Sequence, residues 1–135
     1  MTVGAFADLR ARVVVALTGL APADEDWPVH DAPVDAVSPP CFVLVWPEPW
    51  LVPRTVCAYV ATLEVVCVAA RIDPAPGYVE LEAMVEAALP ALQRAGLPVA
   101  PAAAVGGAGP LEVGGLTYLS ARIRVTQPVT FLPEV

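Results

Sequence analysis

Lysine is absent from this chain, histidine occurs once, and all seven basic residues are arginine, set against 14 acidic ones for a formal net charge of −7. Tight binding to nucleic acid relies on clustered Arg and Lys that release counterions from phosphates. Outside the first helical segment the only close basic pair is Arg122 and Arg124, so sequence-specific nucleic-acid binding is not expected. The lone His30 stands beside Asp31 in a proline-rich acidic loop. Nucleophilic catalysis needs a nucleophile held against its base, and Ser38, Ser120 and the three cysteines come with no accompanying motif. Asp24, Asp26, His30, Asp31 and Asp35 cluster in sequence, but they lack the central Gly and terminal Glu spacing of a calcium loop. Gly106, Gly107 and Gly109 are not followed by the Lys, Ser or Thr of a phosphate cradle. No catalytic residue, cofactor or metal site is therefore expected, and the chain does not read as an enzyme.

A membrane-spanning run is missing too. The longest apolar candidate, Thr55 to Ala70, is about 16 residues and contains Glu64, whereas a spanning helix needs roughly 20. Met1 to Arg12 lacks a basic-then-apolar leader, because Asp8, Arg10 and Arg12 interrupt it, so no secretion signal is expected. Cys41, Cys57 and Cys67 have no CxxC spacing and read as buried free thiols of a reducing cytoplasm.

What the chain does have is apolar patterning. At 135 residues and 57% apolar composition it is long enough for one core, and residues 1–135 are expected to form a single domain. Phe6, Leu9, Val13, Leu17 and Leu20 follow helical spacing, with Thr2 as a candidate cap and Gly19 near the end. Between Ala21 and Pro40 five prolines and five acids predict a loop with a short edge strand around Pro28 to Asp31. Cys41 to Trp46 reads as a central strand, and Pro47 to Pro53 as a loop carrying Glu48 and Trp50.

The strongest signal runs from Arg54 to Arg94. Within Thr55 to Arg71 the odd positions Cys57, Tyr59, Ala61, Leu63, Val65, Cys67 and Ala69 are all apolar or small, the period of a sheet with one buried face. After Asp73-Pro74 the period changes: Tyr78, Leu81, Val85, Ala88, Leu89 and Leu92 predict a helix core, and Glu80, Glu82, Glu86 and Gln93 its wet side. Arg94 and Gly96 suit the helix end. Pro90 is the exception, removing one backbone hydrogen bond at a cost of about 3 kcal/mol in an otherwise straight helix. A weak strand over Leu97 to Val105 and a hairpin of Leu111 to Val113, Gly114-Gly115 and Leu116 to Thr126 complete the order. The expected class is α+β, with a mostly antiparallel sheet of four to five strands and two helices packed on one face.

Tryptophans near loop ends are enriched at interfaces, so Trp27 and Trp50 are candidate contacts with a neighbour, whereas Trp46 is expected in the core. The even face of the long strand, with Val56, Val60, Val66 and Val68, is too apolar for water; either another subunit or the Pro-rich loop of the same chain covers it.

These segments together resemble the tail terminator proteins of long-tailed bacteriophages, especially those infecting actinobacteria. The resemblance rests on the helix ending in Val15 to Leu17, the strand near Val29, the Ser38 to Val45 strand after a Pro pair, the Thr55 to Arg71 strand, the Leu81 to Leu89 helix and the closing Gly114 to Val125 strand, which is the most distinctive. It implies an α+β structural subunit that forms a ring, typically a hexamer, on the head-proximal end of the tail tube, in a virion assembled in the host cytoplasm. Its partners would be further copies of itself, the tail tube protein and the head-to-tail connector. Stopper and adaptor rings of the same junction are the nearest alternative, and a small ligand-binding domain the next. On the ring reading Trp27, Trp50, Val56, Val60, Arg122 and Arg124 are the candidate interface residues, with the two arginines pairing with acids across a subunit boundary.

Overall fold

A computed structural model describes residues 5–34, 36–37, 39–70, 74–97, 109–113 and 115–130. The elements in chain order are α1 (Ala5–Leu17), β1 (Val29–His30), β2 (Cys41–Val45), β3 (Leu51–Thr55), β4 (Ala58–Val68), α2 (Pro74–Arg94), β5 (Gly109–Val113) and β6 (Leu116–Thr130). The strands form one sheet in the order β1-β2-β4-β6-β5, with β3 also on β4. The sheet curls into a half-barrel. All pairings are antiparallel except β1 with β2, which run parallel. The α+β class and the two-helix layer agree with the sequence pattern; the parallel pair makes the sheet mixed.

The centre of the fold is β4 against β6, in register from Ala58 opposite Thr130 to Val68 opposite Ser120. Strand alternation sends Leu63, Val65 and Cys67 of β4 to the same side as Ala121, Ile123 and Val125 of β6. Phe42 and Leu44 of β2 join them, and both helices close this side. α1 contributes Leu9, Val13 and Leu17, and α2 contributes Leu81, Met84, Ala88 and Leu92, all buried. Two expected positions differ. Tyr78 is 47% exposed, and Met84, not singled out by the pattern, is fully buried. The buried stripe of α2 starts one turn later than the apolar spacing suggests.

α2 ends in a left-handed cap. Gly96 has φ 75°, its N–H donates to Gln93 O and the Leu97 N–H donates to Leu92 O, both at 3.0 Å. Buried Leu97 packs in the same core as Leu92, which adds the apolar contact typical of this cap. The helix runs through Pro90 to Arg94. Pro90 is exposed, so its missing N–H leaves the Glu86 carbonyl on the wet side. Replacing Pro90 with Ala is expected to raise the unfolding free energy by about 2 kcal/mol, the restored helix bond being partly offset by the freer unfolded chain. A urea melt showing a higher midpoint at unchanged slope checks it.

The long strand expected over 55–71 is two strands. Thr55 pairs with Ala58, and Val56-Cys57 forms the turn between them, with Cys57 at φ 70°. Neither residue is a usual turn former, and the apolar alternation continues through them, which is why periodicity read one strand. The segment 47–53, expected as a loop, ends in β3, where Pro53 is accommodated because β3 lies on an edge. β2 and β3 run along the same edge of β4 as one interrupted strand. In the gap Thr62 N–H donates to Trp50 O at 2.8 Å. Most of the strand expected over 97–105 lies outside the described residues, as does the Thr2 cap. The closing hairpin is present, with Gly115 at φ 81°, and β6 extends to Thr130.

Candidate functional site: the helix-free face of the sheet

Both helices lie on one side of the sheet, so the other side is the candidate site. Register decides what gathers there. Val45 of β2 faces Glu64 of β4, which faces Arg124 of β6; one pair further along come Val43, Val66 and Arg122. Glu64 is a carboxylate at 3% exposure, a placement that costs heavily unless the charge is paired. Arg124 Nε approaches Glu64 Oε2 at 3.2 Å, and Arg122 Nη1 approaches Oε1 at 3.5 Å, while both arginine side chains stay about half exposed at 51% and 49%. Each arginine thus has an acid of its own chain beside it, a partner that the sequence reading did not name. Glu64 was visible only as one polar position in an apolar strand, because nothing local states which residues lie across from it. The triad carries one uncompensated positive charge, from two guanidinium groups and one carboxylate.

At the other end of this face Cys41, Val43, Val66 and Val68 form a second buried cluster, with Val37, Leu111 and Tyr118 packed on it. Of the two expected covers for Val66 and Val68, the loop of the same chain therefore supplies one through Val37. Among the described residues it does not close the face. Between Val34 and Val37 on one side and β5 on the other a groove of about 410 Å³ remains, floored by Val43, Val45 and Val66, walled by Val34, Leu111 and Val113, and reaching Arg122. Glu112 also borders it, though strand alternation sends its side chain to the opposite side from Leu111 and Val113.

The remaining candidate residues do not join this site. Trp27 is buried at 6% exposure and meets Phe42 edge-on at 5.9 Å, so it is core and not a contact for a neighbour; its indole Nε1 has no partner. Trp50 packs on Phe6 of α1 at 4.9 Å and on Trp46 at 4.7 Å, which spends its ring within the chain. Trp46 is only partly buried, against the main core. Val56 is 92% exposed, but at the tip of the β3–β4 turn and not on a strand face. Val60 is half-buried in a smaller hollow of about 290 Å³ with Arg54, Thr126 and Pro128.

His30 Nε2 is buried without a partner, and Asp24, Asp26 and Asp31 are exposed. Among the described residues no group of three His, Cys, Asp or Glu side chains could hold a metal ion, and no helix is long and apolar enough to cross a membrane. Cys41 and Cys67 are buried and Cys57 is partly exposed, all as free thiols. Burial pushes the Cys41 thiol up to about 11, and burial with help from nearby Cys41 pushes Cys67 up to about 12, against an ordinary 9.0. Thiols of the unfolded chain then ionise first. Stability is intact below about pH 9 and falls as pH rises toward the folded values, by up to roughly 1.4 kcal/mol per pH unit for each thiol. Urea melts from pH 8 to 11 should show a steeper loss for the native chain than for Cys67→Ala, and a thiol reagent should label Cys57 first. In comparisons with protein-family models and with curated protein sequences, the chain matches none.

Proposed function

We propose that this chain is a structural virion protein without enzymatic activity, a ring-forming subunit at the head-proximal end of a phage tail tube. There it ends tube polymerisation and joins the tail to the head connector, and it is assembled in the host cytoplasm. The observation that carries the reading is the one-sided layering of the sheet. Helices cover one face, and the other offers an apolar groove bordered by Arg122. Apolar surface rimmed by polar groups favours covering by another protein. The net charge of −7 suits a ring past which DNA moves without sticking. The resemblance of the closing strand and second helix to tail terminators supports this reading, and a stopper or adaptor ring of the same junction is the nearest alternative.

The test is a capping assay. Purified protein added to polymerising tail tube subunits should shorten the tubes and appear at one tube end by negative stain; tubes of unchanged length with bare ends would refute the terminator role. A second reading draws on the groove volume, which falls in the range of small-molecule sites. Reproducible thermal stabilisation by one class of apolar ligand would favour it.

A further inference from the structure

We infer that the groove on the helix-free face receives the exposed stripe of α2 from a second copy of this chain. The inference rests on the ring reading above and adds which two surfaces meet. In α2, Val79, Glu82, Ala83 and Glu86 are spaced by three and four residues and so form one stripe. All four are exposed, and Val79 stands 66% open to solvent. This stripe lies opposite the buried one of Leu81, Met84, Ala88 and Leu92; Val79 and Ala83 border a hollow that Pro22, Glu25 and Trp27 also line, and Glu82 and Glu86 lie outside it. It offers two small apolar side chains flanked by two carboxylates.

The groove offers the complement. Its floor and walls are valine and leucine, and beside them stand Arg122 and Arg124, whose half-exposed guanidinium groups share a single buried carboxylate. The site is thus a cationic spot in a chain of net charge −7. Val79 and Ala83 enter the apolar groove, and Glu82 and Glu86 meet the arginine donors left over by Glu64. Charge complementarity of this kind sets orientation and partner choice more than raw affinity. The two surfaces are different patches of one chain, so the contact is heterologous and propagates from copy to copy until it closes.

The experiment is light scattering of the full chain over a concentration series, with two variants on exposed positions that leave the core intact. Glu82→Arg with Glu86→Arg reverses the stripe, and Val34→Glu places an acid at the groove wall. Circular dichroism and thermal melts establish that both variants are folded. The native chain is expected to self-associate, less so at 0.5 M than at 0.05 M salt, as roughly 10 Å screening at 0.1 M implies for partly exposed charges. Each variant alone should associate at least tenfold more weakly. An equimolar mixture should form a dimer and nothing larger, because one variant retains the groove and the other the stripe. Rings that form unchanged in both variants would overturn the pairing of surfaces while leaving the ring reading in place. A native chain that stays monomeric at every concentration would also overturn it, and the ring reading would then be judged by the capping assay alone.

Discussion

Removing both guanidinium groups, Arg122→Ala with Arg124→Ala, is expected to lower the unfolding free energy by about 3 kcal/mol, because it strands the buried Glu64 carboxylate without a counter-charge. The lower end of the range for broken buried pairs applies, since both arginine side chains are about half exposed and water already screens them. The reverse substitution should behave differently. Glu64→Leu removes the buried charge from among Val45, Val66 and the strand neighbours, and the arginines it releases can reach water. Its cost is expected to stay within about 1 kcal/mol, as apolar replacement of buried ionic groups is often neutral. Combining all three changes should restore most of what the arginine pair lost. Urea melts of the four species form a double-mutant cycle. Equal losses from the arginine and the glutamate changes would show that the pairing, and not the stranded charge, sets the cost.

Phe42→Ala should be of similar size, about 3 to 5 kcal/mol. Phe42 has no exposed surface and lies in β2 between Val29 of β1 and Cys67 of β4. It also gives Trp27 its edge-on partner at 5.9 Å, a contact worth roughly 0.5 to 1.5 kcal/mol beyond burial. Truncation therefore opens a cavity and loosens the loop that Trp27 anchors. Phe42→Leu, which keeps most of the volume, should cost below about 1.5 kcal/mol. Denaturant midpoints check both, and the near-ultraviolet dichroism of Trp27 should weaken in the alanine variant alone. Since a domain of this kind is held by only about 5 to 15 kcal/mol, the alanine change removes a large share.

The split between what was legible and what was not follows the range of the forces involved. Periodicity is local, so the odd-face core of β4 and β6, the amphipathic α2, the Gly115 hairpin and the Gly19 and Gly96 helix ends could be read from short windows of residues. The same local signal misled at Val56-Cys57, where apolar alternation runs on through a turn that only the pairing of Thr55 with Ala58 defines. The candidate site was less legible than the fold. Glu64 and the two arginines were each visible, but their meeting depends on the register of β4 against β6, more than fifty residues apart in sequence, and register is set by side chains packing across strands. Trp27 belongs to the core for the same reason: a loop tryptophan is placed by what lies beneath it, here Phe42, and no neighbour in sequence states that. The sequence by itself determined the elements and their buried faces, because those depend on spacing along the chain. Only the tertiary structure decided the parallel β1, the interrupted β2–β3 edge, the Glu64 triad and the groove, because each depends on which distant strands lie side by side.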